Sequence, residues 1–191
     1  MDPTLRAHLD AVRADEKDAQ NAAYSFLMDA TAGPVDWAYE AWDEVVAMLR
    51  HRSNRVRAIA SQLLSNLAAE SDPDRRILDD LDALLEVTKD ERFVTARHCL
   101  QSLWKVGAAG DAQRDAVVAG LGRRFAECAS EKNCTLIRYD IVQVLRKMYD
   151  AAPYEPVSRA AHALIETETD PKYRKKYASA WKGAAPAPHP A

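Results

Sequence analysis

Arginines 57, 97, 138 and 174 stand 40, 41 and 36 residues apart, and each opens an apolar pattern of helical spacing. Val56-Arg57 leads into Ile59, Ala60, Leu63, Leu64 and Leu67. Ala96-Arg97 leads into Cys99, Leu100, Leu103 and Trp104. Arg138 follows Ile137 and precedes Ile141, Val144, Leu145 and Met148. Tyr173-Arg174 leads into Tyr177, Ala180 and Trp181. Apolar residues at i, i+3, i+4 and i+7 mark one face of a helix. A fixed period near 40 residues means that one supersecondary unit recurs, and such a unit buries its apolar stripe only by stacking on its neighbours. The expected fold class is therefore all-α, an α-solenoid or superhelix of about five antiparallel helix pairs.

Composition agrees. Hydrophobic residues make up 48% of the 191, enough for a core, while only six glycines leave few of the turns that an all-β chain needs. A net charge of −3 gives no global basic excess toward nucleic acid. Three cysteines, Cys99, Cys128 and Cys134, form no disulfide framework, and no signal peptide opens the chain. The reducing cytosol is the expected compartment. No apolar run is long enough for a membrane span.

Helix starts and breaks divide the array into repeats at about 2–31, 34–70, 72–109, 111–150 and 153–182, a single domain over 1–182. Asp2-Pro3 and Asp170-Pro171 are acidic caps followed by proline at the first helical position. Asp72-Pro73 restarts the pattern, with Ile77, Leu81, Leu84 and Leu85 following. Gly107 and Gly110 read as a left-handed helix end, and Asp111 as the next cap. The first repeat is degenerate, with Gln20 in the arginine slot, as suits a terminal unit. The segment from Gly183 (GAAPAPHPA) has no periodicity and reads as a disordered tail.

A helix pair of about 40 residues, with a Val-Arg-like step opening the second helix, resembles the HEAT repeat of the ARM/HEAT solenoids over residues 2–182. The resemblance implies fold rather than activity, because HEAT repeats serve scaffolds, transport factors and a few enzymes. In that pattern an aspartate six residues before the arginine bonds across to the neighbouring repeat. Here those positions hold Ala14, His51, Glu91, Lys132 and Glu168, so the ladder reads as incomplete. Two readings of the arginines follow. They are either links between repeats or an exposed column on the inner face that receives an acidic ligand. In this pattern His51 and Lys132 deny Arg57 and Arg138 their carboxylates, while Glu91 is in place for Arg97.

The candidate binding residues are Arg57, Arg97, Arg138 and Arg174, with Arg52 and Arg55 from the acid-free stretch 49–57. Residues 171–183 are also basic and acid-free, whereas 1–48 hold ten acids and three bases. A charge run is ordinarily a solvated face, or else contacts an acidic segment or a phosphate backbone.

Catalytic arrangements are missing from the pattern. The five histidines fall in different repeats, and the His-Glu steps of iron-binding HEAT-like hydroxylases do not occur. Cys128 and Cys134 make a poor zinc site. HEAT-like alkylpurine DNA glycosylases display tryptophans and an aspartate on a basic surface. Here Trp104, Trp181 and Trp42 lie in apolar stripes, and only Trp37 reads as exposed, among acids. The expected function is thus a non-enzymatic module that binds a protein partner, an acidic segment among the candidates, through its concave face without cofactor or metal. The alternative is a nucleic-acid-associated protein related to those glycosylases.

Overall fold

The computed structural model describes residues 1–14 and 16–184, and among them the chain is all-α, with ten α-helices and no strand. Their order is α1 Pro3–Arg13, α2 Lys17–Ala30, α3 Ala38–Met48, α4 Asn54–Glu70, α5 Ile77–Val87, α6 Phe93–Ala108, α7 Asp111–Glu127, α8 Cys134–Ala151, α9 Glu155–Glu166 and α10 Pro171–Ser179. The chain divides into two compact units, Met1–Ser102 and the part from Leu103 onward, with α6 crossing the division. Of the expected tail, residues 185–191 lie outside the described residues.

In the first unit, α1 packs on α2 and α3 on α4. The Asp2 carboxylate accepts from the Thr4 and Leu5 amides and starts α1 as its sequence dictates. Leu5, Leu9 and Val12 then turn inward with Ala23 and Leu27 of α2. The second helix of the next pair, α4, is the most enclosed. Val56, Ile59, Ala60, Leu63, Leu64 and Leu67 are all buried, and even Ser61 and Ser65 are shut away from water. Their hydroxyls return to the carbonyls of Ala58 and Ser61, which meets their hydrogen-bonding need inside the helix. Second helices lie side by side through polar contacts. Tyr24 donates to Gln62, Asn66 to Thr31 and Asn54 to Thr95, and Ser65 meets Ser102 at 2.9 Å.

The second unit repeats the scheme. Val117, Leu121 and Phe125 of α7, Ile137, Ile141, Val144, Leu145 and Met148 of α8, and Val157, Ala161 and Ile165 of α9 form its core. Tyr177 of α10 donates to the Thr135 carbonyl at 2.9 Å, and Trp181 donates to that of Val142 at 3.3 Å. The two contacts advance together along both helices, so α8 and α10 run parallel. Asp170 caps α10 through the Lys172 amide.

Three local expectations are corrected. Asp72-Pro73 does not begin a helix. The Asp72 carboxylate instead reaches the Arg76 and Ile77 amides across a turn with Arg75 at φ 58°, and α5 starts only at Ile77. Gly107 and Gly110 are not left-handed caps. Gly110 is extended at φ 173°, and Gly107 lies inside α6, facing the end of the Met148 side chain. Asp111 is the first residue of α7 rather than its cap, and it pairs with Arg114 at 2.8 Å.

Candidate functional site

The arginines of the repeat lie near the starts of the second helices, and the guanidinium groups of Arg57 and Arg174 reach carbonyls of the preceding turn. Arg57 shows the full pattern. Its Nε and Nη2 meet the two Asp90 oxygens at 2.6 and 3.0 Å, while Nη1 donates to the carbonyls of His51 and Arg52. Asp90 is 3% exposed and Arg57 17%. The hydrogen bond to Asp90 raises the Arg57 pKa against the opposing effect of burial.

Arg138 is also held by a carbonyl and a carboxylate. Its Nε donates to the Phe125 carbonyl at 3.1 Å, Nη1 meets Glu168 at 2.9 Å, and the guanidinium lies 4.7 Å from the centre of the Phe125 ring. Burial works against the Glu168 carboxylate, but the Asp170 amide and Arg138 outweigh it and hold its pKa below the ordinary value. Arg174, at the end of the series, donates from Nε to the Glu168 carbonyl at 2.7 Å. In the first repeat Gln20 performs the carbonyl half of this task, donating to Val12 at 3.0 Å.

These contacts overturn the expectation that Arg57 and Arg138 lack carboxylates. Each is supplied from the turn of the following repeat, by Asp90 seven residues before Arg97 and by Glu168 six residues before Arg174. Glu91, the residue expected to serve Arg97, is 81% exposed and lies 3.8 Å from Arg92. Glu131, which precedes Arg138 by seven, grips Arg124 at 2.5 and 2.8 Å. Of the other candidates, Arg97 is half-buried and Arg52 exposed, and Arg55 is half-buried with a hydrogen bond to Asn21.

The exposed cations gather on α10. Lys172, Arg174, Lys175 and Lys176 are all exposed, and no acidic residue occurs from Pro171 to Ala184. The Lys176 ammonium lies 4.5 Å from the centre of the Tyr139 ring on α8, and Lys172 lies 5.7 Å from that of Tyr173. The two flanking carboxylates, Glu168 and Asp170, are engaged with Arg138 and with the helix start. Residues 103–191 hold 14 Lys and Arg against 10 Asp and Glu, so this part of the chain is basic within an acidic whole.

Trp42 and Trp181 are buried, their indoles donating to Asp80 and to the Val142 carbonyl, while Trp37 and Trp104 are half-buried. Among the described residues no group of three or more His, Cys, Asp or Glu is placed to hold a metal, and no helix is long and apolar enough to cross a membrane.

Helix pairs in series, joined by arginine-to-carboxylate links, define an α-solenoid of helical repeats. Two solved structures agree on the fold. An engineered protein from the Northeast Structural Genomics Consortium is similar over 94% of this chain and 78% of its own, with a TM-score of 0.57 and 17% identity. A second engineered protein from that source covers 94% and 87%, with a TM-score of 0.52 and 15% identity. A designed armadillo repeat protein in complex with the peptide (KR)4 aligns over 92% and 87%, with a TM-score of 0.49 and 14% identity. No protein-family model matches the sequence, and no curated protein matches it.

Proposed function

We propose that this protein is a non-enzymatic, cytosolic binding module that holds an acidic segment of a protein partner on the surface of its second helices. The observation that carries the proposal is the α10 cation set. Lys172, Arg174, Lys175 and Lys176 face water with no acidic side chain between 171 and 184. An extended acidic chain that meets two or three of them gains charge-assisted bonds. Their contribution is reduced by the cost of ordering long side chains. Arg52 and Arg55, in the first unit, form a separate candidate set. Arg57 and Arg138 serve binding indirectly, by fixing the turns from which the second helices rise.

Binding of a fluorescent Glu-rich peptide, with single-stranded and duplex DNA as competitors, tests the reading. Charge reversal at Lys172, Lys175 and Lys176 is expected to weaken peptide binding at least tenfold without loss of helical circular dichroism. Binding of DNA alone, with a steep dependence on salt, would replace the acidic protein segment by a phosphate backbone. Peptide affinity unchanged by the triple reversal would remove α10 from the surface.

A further inference from the structure

The turn joining α7 to α8 brings two thiols together. Cys128 closes α7 and opens a short 3₁₀ turn, Cys128–Ser130, and Cys134 is the first residue of α8. Their sulfurs lie 3.0 Å apart. A disulfide requires about 2.0 Å, so closure asks for a shift of about 1 Å in two side chains. Cys128 is fully buried and Cys134 half-exposed. The third cysteine, Cys99, is buried against the Leu84 carbonyl at 3.2 Å, a contact within the first unit.

The surroundings favour an ordered exchange. The Cys128 thiol donates to the Phe125 carbonyl at 3.3 Å, and the same oxygen accepts from Arg138 Nε at 3.1 Å. Burial first, and then the hydrogen bond and charge of Cys134, push the Cys128 pKa up to about 12, while Arg138 and Arg124 pull it down. Burial remains the largest raising influence, but the two that come from the partner sulfur fall away once Cys134 carries a neutral substituent, and Arg138 and Arg124 then oppose burial alone.

We propose that Cys128 and Cys134 form a reversible intramolecular disulfide, made by exchange with a small-molecule disulfide such as oxidised glutathione. The Cys134 thiolate, the accessible one, attacks one sulfur of RSSR. That S–S bond breaks, RS⁻ leaves and takes up a proton, and Cys134 carries a mixed disulfide. The Cys128 thiolate then attacks the Cys134 sulfur and expels the second RS⁻, which is protonated in turn. Two protein thiols are oxidised, and one RSSR is reduced to two RSH. Transient disulfides of this kind suit a reducing compartment.

Closing the bond removes the Cys128 S–H donor and leaves the Phe125 carbonyl to Arg138. The redox state of the turn is thereby coupled to the Arg138–Glu168 link between the last two repeats. The inference is independent of what binds α10.

The test is mass spectrometry of the intact folded protein in glutathione mixtures of increasing disulfide fraction, with alkylation of the remaining thiols. The expected product has lost two hydrogens, with the crosslink between Cys128 and Cys134 and Cys99 alkylated only after unfolding. Cys128→Ser is expected to stop at the glutathione adduct on Cys134. Cys134→Ser is expected to give neither product, with both variants retaining the wild-type circular dichroism. The proposal is overturned by a stable glutathione adduct on wild-type Cys134, by a disulfide-linked dimer, or by three free thiols at every ratio.

Discussion

Arg57 and Asp90 meet fork to fork across 33 residues of sequence, at 2.6 and 3.0 Å, and join the second repeat to the third. The carboxylate is nearly buried and the guanidinium gives its Nη1 donors to two carbonyls, so loss of one partner leaves the other unsatisfied. Asp90→Ala is expected to cost about 1.5–3 kcal/mol. A double-mutant cycle with Arg57→Ala should then give a coupling energy of the same order as that single loss. Arg52→Ala, on an exposed side chain, should stay within about 0.5 kcal/mol. Urea titrations of the five proteins decide it, and additive costs at positions 57 and 90 would show that the pair contributes nothing beyond its parts.

Glu168 makes the corresponding link depend on acid. Its folded pKa lies below the unfolded value, since the Asp170 amide and Arg138 outweigh burial. The contribution is therefore complete above about pH 4.3, the unfolded glutamate value. It fades as pH falls through the lower folded one. Glu168→Gln is expected to be less stable than wild type at pH 7, with the gap closing toward pH 3. Thermal melts across that range measure it, and a gap independent of pH would exclude the charge as its source.

The repeat architecture was legible because 3.6-residue periodicity and the arginine spacing both survive in the sequence. Asp2-Pro3 and Asp170-Pro171 predicted their helices for a local reason, since a cap bonds to amides two or three residues away. Asp72-Pro73 misled because its carboxylate caps through an intervening turn, which residue types alone do not disclose. The ladder misled for a related reason. A fixed offset of six finds Glu168 but misses Asp90, because the turn before α6 places its carboxylate one residue earlier. The closeness of Cys128 and Cys134 depends on the 3₁₀ turn between them, and spacing did not reveal it. The lysines of α10 were visible as a charge run. That no carboxylate among the described residues pairs with them is a property of the fold.

Gly107 offers a test of packing with opposed terms. Alanine there gains up to about 1 kcal/mol of helix propensity, but its Cβ meets the Sδ and Cε end of Met148. That end is flexible, so Gly107→Ala is expected to be close to neutral. Gly107→Leu leaves Met148, 1% exposed, no room to yield and should cost about 1–3 kcal/mol. Denaturant midpoints of the two variants check this. A neutral leucine would mean that the site holds spare volume.

Alkaline stability should report the buried thiol Cys99. Burial, with a smaller contribution from Asp90, pushes its pKa up to about 12 against an ordinary 9.0, and the Ser61 hydroxyl opposes them. Below pH 9 the thiol is protonated in both states and exerts no pH dependence. Between pH 9 and 12 the unfolded chain loses the proton first, so folding stability falls as pH rises, by about 1.4 kcal/mol for each unit of the shift. Cys99→Ala forfeits the contact with the Leu84 carbonyl and leaves a small void, so it is expected to be less stable at pH 7. Its stability should nevertheless decline less steeply above pH 9, and the two curves should converge toward pH 12. Urea midpoints at unit intervals from pH 7 to 11, under reducing conditions, provide the comparison. Curves that stay parallel across that range would show that Cys99 ionises as easily in the folded protein as in the unfolded chain.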